Sequence, residues 1–146
     1  MTLEYYEYSM RGGIALAMNK ASVSLQPGVY FLVNQERTRM YVGSSVGGMY
    51  FRIQNHLSLL RHNKHSNRGL QRDWNNGTCF DYGIFFRFPD PADESGEWVA
   101  EATLRCVEQQ MMENMRWQYS LYNTTSSCTC EICAKVADEV RLRHTR

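Results

Sequence analysis

The stretch GVYFLVNQERTRMYVGSS, residues 28–45, decides the fold. Val29–Val33 and Met40–Gly43 are apolar runs rich in β-branched and aromatic residues, which favours strands. The polar segment between them is short enough for a turn, and a Pro-Gly pair interrupts the chain before the first run. The sequence therefore predicts an antiparallel hairpin with one tyrosine in each strand, Tyr30 and Tyr41. Their phenols point to the same side if the strand register allows it.

The other predicted elements follow the hairpin and suggest one small antiparallel sheet covered by helices, an α+β fold. The clearest helix is Tyr50–Asn63, where Ile53, Leu57 and Leu60 form one apolar stripe. The remaining predictions are a short helix after Gly13 ending near Asn19, a second short helix in LQRDWNNG, a strand Cys79–Phe88, a helix from about Glu97 to Gln118 and a weak terminal helix Val136–Arg143.

Length and composition favour an intracellular protein. The chain of 146 residues fits one domain of common size, and no stretch approaches the ~20 apolar residues of a membrane span. The N-terminus carries acids and no apolar run, so it does not resemble a secretory signal. An odd count of five cysteines argues against a secreted disulfide scaffold. The expected location is the cytoplasm, with no membrane partner.

The net charge of +1 conceals an uneven distribution. Residues 37–72 contain seven Lys or Arg and no Asp or Glu, whereas residues 90–113 contain seven acids and one arginine. The basic segment is a candidate footprint for a polyanion such as DNA. The alternative is that the two segments form oppositely charged faces whose only role is solubility.

Several polar residues, in chain order, have the chemistry that phosphodiester hydrolysis needs. An arginine clamps a phosphate, a carboxylate holds a divalent cation, and a tyrosine or histidine orients or deprotonates water. Each also has an ordinary structural interpretation, such as a packed tyrosine, a solvated arginine or a satisfied histidine. The candidates are Tyr30, Tyr41, Arg52, His56, Glu108 and Asn123.

The ordered motifs resemble the GIY-YIG nuclease family. GVY at Gly28–Tyr30 and YVG at Tyr41–Gly43 are variants of the two triplets that name that family. They are followed, over about two-thirds of the chain, by GSS, by Arg52 and His56 four residues apart, by NRGLQRDW, by EQQM from Glu108 and by YN ending at Asn123.

The resemblance implies a three-stranded antiparallel sheet flanked by helices and divalent-metal-dependent cleavage of DNA, with Mg²⁺ or Mn²⁺ as the cofactor. It makes Tyr30 the general base or water-orienting phenol, assisted by Tyr41 and His56. Arg52 binds the scissile phosphate and Glu108 binds the metal. The predicted DNA contacts are Arg37, Arg39, Ser44, Arg61, Lys64, Arg68 and Asn123.

The same resemblance divides the chain into an N-terminal extension (1–26), a nuclease domain (27–123) and a short cysteine-containing tail (124–146). The motif spacing is most similar to the phage and intron homing-endonuclease branch, which would place the protein in a host cell. Only 23 residues follow Asn123, which is short for a DNA-recognition tail. A compact restriction-type enzyme acting as a homodimer is the alternative.

A cysteine cluster near the C-terminus has no place in the nuclease motifs. Cys128, Cys130 and Cys133 could bind a structural Zn²⁺ with a fourth ligand, Cys106 or His144. The alternatives are free thiols or a redox-sensitive tail. Beside the nuclease, two other function classes stay open. One is a nucleic-acid-binding module that does not cut, and the other is a partner protein that uses its acidic helix.

Overall fold

In the computed structural model, residues 8–9, 26–88 and 101–145 are described. The short helix predicted after Gly13 and the start predicted at Glu97 lie outside these residues. The described elements, in chain order, are β1 Tyr8–Ser9, β2 Gly28–Asn34, β3 Arg39–Ser45, α1 Met49–Arg61, α2 Arg68–Asn75, β4 Phe80–Arg87, α3 Glu101–Met115, β5 Ser120–Leu121 and α4 Glu131–His144.

The fold is α+β, as predicted, but the sheet formed by the described residues has five strands rather than three. Its order is β1-β4-β2-β3-β5, and the three long strands β4, β2 and β3 are antiparallel. The two extra strands have two residues each; β1 pairs with β4, and β5 pairs in parallel with β3. Strands this short carry no periodic pattern, which is why the sequence did not predict them.

Helices cover both faces of the sheet. On one face, α1 and α2 pack on alternate residues of the strands, including Leu32, Tyr82 and Ile84. On the other face, Val33 and Val42 pack against side chains of α3. Strand β2 is buried along its whole length because both faces are covered. This explains why Val29–Val33 is a continuous apolar run rather than an alternating one.

The hairpin turn is closed by the side chain of Asn34. Its Oδ1 accepts hydrogen bonds from the backbone N–H of Thr38 at 2.8 Å and of Arg39 at 2.9 Å, and its Nδ2 donates to Thr38 Oγ1 at 2.7 Å. Arg37 lies in the left-handed region, with φ 61°. The asparagine thereby replaces backbone partners at a tight reversal and fixes the register of β2 against β3.

Helix α3 packs on the sheet through its apolar stripe and also buries polar residues beside that stripe. The spacing of Leu104, Val107, Met111 and Met115 predicts one packed side, and all four contact the core, but the buried residues are Leu104, Glu108, Gln109 and Met112. The carboxylate of Glu108 therefore faces the body of the protein. Apolar periodicity could not reveal this because the decisive residue is an acid.

The C-terminal helix α4 begins at Glu131, five residues before the predicted start at Val136. It packs against α3 and buries only Cys133 and Val140 among its residues. An isolated helix of about 12–15 residues is marginal in water, so little apolar burial leaves α4 in need of another attachment. Among the described helices, none has the length and apolar character needed to cross a bilayer.

Candidate active site

The candidate site lies at the edge of β3. Strand β5 pairs only with Arg39 and Met40, and beyond them the side chain of Asn123 takes over. Its Oδ1 accepts from the Val42 N–H at 2.9 Å, and its Nδ2 donates to the Val42 carbonyl at 2.8 Å. The amide thus occupies the place of one residue of a neighbouring strand. Past Val42, no strand of the described chain covers this edge, and a cleft lies there.

Four of the predicted catalytic residues line this cleft. A cavity of about 320 Å³ is bounded by Tyr30, Tyr41, Arg52 and Glu108, together with Ser44. The register pairs Tyr30 with Gly43 and Leu32 with Tyr41, so both tyrosines lie on the α1 side of the sheet, as predicted. Arg52 reaches the cleft from α1, and Glu108 reaches it from α3 on the opposite face.

Gly43 makes room for the phenol of Tyr30. A Cβ built at this position would lie 2.5 Å from both Oη and Cζ of Tyr30. Such an approach is far inside van der Waals contact, so any side chain at position 43 would displace the ring. The glycine of the YVG triplet is therefore needed to leave space for the tyrosine of the GVY triplet.

Gly43→Ala is expected to destabilise the protein by about 1–3 kcal/mol, the usual cost of overpacking, and to lower any activity that depends on Tyr30. Gly47→Ala is the matched control because nothing lies within 4 Å of a Cβ built there. Thermal unfolding of the two variants measures the difference. Equal stability would show that the ring of Tyr30 can move at no cost.

A chain of hydrogen bonds runs from the backbone to the Tyr30 phenol. The Asn67 N–H donates to His65 Nδ1 at 3.0 Å. The other nitrogen of His65, Nε2, lies 2.7 Å from His56 Nδ1, and His56 Nε2 lies 2.5 Å from Tyr30 Oη. The histidine rings are stacked, with centroids 5.0 Å apart.

Both histidines are neutral, which fixes the direction of this chain. Burial, the neighbouring His65 and the charge of Arg52 lower the pKa of His56 to about 3. Burial and Arg52 also lower the pKa of His65, against the opposing effect of the Asn67 backbone bond. Since His65 Nδ1 accepts, its Nε2 carries the proton and donates to His56. His56 therefore donates to Tyr30 Oη and cannot take a proton from it.

Burial keeps both phenols neutral. It raises the pKa of Tyr30 well above its ordinary value, and Tyr41 and Glu108 raise it further, while the charge and hydrogen bond of Arg52 lower it. Burial and Glu108 also raise the pKa of Tyr41. Without a cation beside them, these shifts favour the protonated form of both phenols.

Glu108 is held from two sides. Its Oε2 accepts a hydrogen bond from Ser44 Oγ at 3.0 Å, and the adjacent Gln109 accepts one from the Ser127 N–H at 2.8 Å. Burial raises the pKa of the Glu108 carboxyl, while the hydrogen bonds of Ser44 and Ser127 and the charges of Arg105 and Arg52 lower it. The carboxylate is thus positioned but poorly solvated, as suits a group that needs a cation.

The predicted DNA contacts divide into paired and solvent-facing residues. Arg39 lies 2.9 Å from the Asp73 carboxylate and stacks over Tyr122, and Arg37 lies 3.8 Å from Asp81. Ser44 and Asn123 are engaged by Glu108 and Val42 as described above. Arg61, Lys64 and Arg68 are exposed to solvent, as are Arg72 and Arg37.

A polar groove connects the cleft to some of these arginines. Tyr41 and Glu108 also line a second cavity of about 210 Å³, which ends at Asn67 and Thr124. Those two residues then line a third cavity of about 450 Å³, whose other walls include Arg39, Arg68 and Arg72. The three cavities adjoin through shared residues and lead from the carboxylate to α2.

Four cysteines form a second cluster, which could hold a metal ion. The Sγ atoms of Cys106, Cys128, Cys130 and Cys133 all lie within 4.8 Å of one another. Between the two fourth members considered from sequence, the structure brings in Cys106. His144 instead stacks on Trp117, with ring centroids 4.7 Å apart.

The sequence did not predict the involvement of His65 or of Asn67. His65 lies in a polar segment between two helices, where no periodicity marks a residue as buried. Asn67 caps α2 by accepting from the Leu70 N–H at 3.0 Å and also donates to the Tyr122 carbonyl at 2.8 Å. The one available signal was an asparagine three residues before an apolar helical position, which is typical of an N-cap.

Comparison of the chain with protein-family models, with curated proteins and with solved structures found no match. The family resemblance therefore depends on the motif residues themselves.

Proposed function

We propose that the chain is a divalent-metal-dependent DNA endonuclease of the GIY-YIG type, similar to the phage homing enzymes. The observation that carries this proposal is the single cavity lined by Tyr30, Tyr41, Arg52 and Glu108. These residues come from β2, β3, α1 and α3, and packing alone gives no reason for four such polar groups to converge. The cavity opens to solvent beside the exposed side chain of Arg52, as a site for a large anionic substrate must do.

The donors around Glu108 fit a hard cation of the Mg²⁺ or Mn²⁺ type. The oxygen donors near it are its own carboxylate, the Ser44 hydroxyl and the Tyr41 phenol, and the guanidinium groups of Arg52 and Arg105 line the same cavity. Magnesium sites commonly use one or two carboxylates and retain several waters, so a single glutamate is sufficient. The ion would neutralise phosphate charge and stabilise the leaving oxygen. Glu108 would hold it, and Ser44 would keep the carboxylate oriented.

Arg52 and Tyr30 would act on the substrate directly. The guanidinium can make two parallel hydrogen bonds to the scissile phosphate, a geometry that lysine cannot reproduce. The Tyr30 oxygen already accepts a hydrogen bond from His56, so its own O–H is left to donate to an acceptor in the cleft. A water molecule bound there would be oriented by the phenol. The neutral histidines hold the ring in place and contribute no proton acceptor at Tyr30.

The groove from the cleft to α2 supplies a path for the DNA backbone. Arg68 and Arg72 are four residues apart on α2, so they share a face. Both line the third cavity of the groove. Contacts of this type position the substrate and carry no sequence information. A restriction-type enzyme that reads a short site is the alternative within the nuclease class.

The proposal is tested by incubating the purified protein with supercoiled plasmid and with branched oligonucleotides, with and without Mg²⁺. Nicked or linear products that require the cation are expected. In a mobility-shift assay, Arg68→Ala and Arg72→Ala should weaken binding and reduce its salt dependence by about one phosphate contact each. Arg143→Ala, an exposed position on α4, is the matched control.

A shift of the DNA without cleavage of any substrate would identify a binding module instead. Neither cleavage nor a shift would favour the partner-protein alternative and overturn the proposal.

A further inference from the structure

We propose that Cys106, Cys128, Cys130 and Cys133 bind one Zn²⁺, and that this ion fastens the C-terminal segment to the helix carrying Glu108. Four thiolates are soft ligands, which select zinc over magnesium. The cluster is therefore a different kind of site from the oxygen-lined cleft. It goes beyond the proposed nuclease function, since a metal can be bound here whether or not the chain cuts DNA.

The sulfur spacing fits a tetrahedral ion. Zn–S bonds of about 2.3 Å in a tetrahedron place the sulfur atoms roughly 3.8 Å apart. The Sγ atom of Cys106 lies 3.7 Å from that of Cys130 and 3.4 Å from that of Cys133. A disulfide would require a distance of about 2.05 Å. All four atoms lie within 4.8 Å of one another, which is close enough for one ion to contact all of them.

The surroundings support bound thiolates. Cys130 is the N-cap of α4 and Cys133 lies in its first turn, where the helix dipole favours negative charge. The Gln110 side chain donates to Cys106 Sγ at 3.4 Å, the kind of contact that orients a metal ligand from outside. Cys133 is buried and Cys130 is exposed, so the cluster lies at the surface, where an ion can enter.

A metal ion at this site would attach α4 to the rest of the protein. This helix buries only Cys133 and Val140, and its Ile132 and Leu142 side chains are exposed. Cys106 lies one residue before Val107 and two before Glu108 on α3. The Ser127 N–H, beside Cys128, donates to Gln109 on the same helix. The ion would therefore fix α4 and the loop before it against the stretch of α3 that enters the cleft.

The test measures metal directly. The full chain, purified under reducing conditions without chelators, should contain one zinc per molecule by mass spectrometry of the metal. Cobalt exchanged into the site should give the thiolate charge-transfer and intense visible bands of tetrahedral coordination. Cys106→Ser and Cys130→Ser should each lower metal affinity by more than about 100-fold. Loss of a group that only hydrogen-bonds to a metal ligand already costs up to about 100-fold, and loss of a ligand itself costs more. Cys79→Ser, outside the cluster, should bind normally.

Limited proteolysis supplies a second measurement. Removing the metal should expose Lys135 and Arg141 in α4 to trypsin, and restoring zinc should protect them. Far-UV circular dichroism shows whether each variant is folded, and the exposed position of Cys130 makes Cys130→Ser the safer one. Absence of metal, a Cys106–Cys133 disulfide detected by mass, or unchanged affinity in both serine variants would overturn the proposal. None of these results depends on DNA cleavage.

Discussion

Glu108→Gln should lower DNA cleavage by about 10³-fold and leave DNA binding unchanged. The substitution keeps the size of the side chain and its ability to accept from Ser44. It removes the buried carboxylate of the described cleft, the one that accepts from Ser44. Glu101 also lines this cavity, but it is exposed and paired with Arg105 at 2.6 Å. Single-turnover cleavage and a mobility shift measure the two effects separately.

Glu113→Gln is the matched control, since Glu113 lies on the same helix and pairs with Arg116 at 3.1 Å. It should retain full cleavage. Comparable loss in both variants would mean that helix charge, rather than the Glu108 carboxylate, supports activity.

Glu108→Gln should also stabilise the protein in buffer that lacks divalent cations. Burial raises the folded-state pKa of Glu108, so the ionised carboxylate is favoured in the unfolded chain. The Glu108 carboxyl therefore contributes most to stability below its unfolded pKa of about 4.3, where it is protonated in both states. This contribution is lost as pH rises through the raised folded pKa. Glu108→Gln should therefore raise Tm at neutral pH, with the gain shrinking below pH ~4. No gain at neutral pH would show that Ser44 and the nearby arginines already compensate for burial.

Arg52→Lys should lower the cleavage rate by about 10²–10³-fold with a smaller effect on binding. Lysine keeps the positive charge but cannot make the bidentate contact to phosphate. It also loses the guanidinium hydrogen bond that helps lower the pKa of Tyr30. The expected loss is therefore mainly in the chemical step.

Arg61→Lys provides the control, because Arg61 is exposed in the last turn of the same helix, away from the cleft. It should cleave at the normal rate. Equal rates for Arg52→Lys and the normal protein would assign Arg52 to general attraction of DNA and remove it from the catalytic set.

The sequence predicted most of the long elements because their burial is periodic or continuous. The hairpin, α1, α2 and β4 lie where apolar patterns placed them, and the shared side of Tyr30 and Tyr41 follows from their register. The predicted catalytic residues on these elements therefore come together. Their placement needed only the side-chain alternation of a strand and the turn of a helix.

The parts that the sequence did not predict depend on contacts between distant residues. The burial of Glu108 on α3 depends on its contact with Ser44, the edge of β3 is covered by the side chain of Asn123, and the phenol of Tyr30 is positioned by two stacked histidines. None of these leaves a local pattern, because each is a polar group satisfied by a partner far along the chain.

The cleft draws its groups from opposite faces of one sheet, and this has a consequence for the newly made chain. The hairpin and α1, which carry the tyrosines and Arg52, end by residue 61, whereas Glu108 lies on α3, which packs on the other face. A chain in which α3 has not yet packed would therefore lack the carboxylate in the cleft. Under the proposed function, a cell making this protein is exposed to DNA cleavage only by chains that have finished folding.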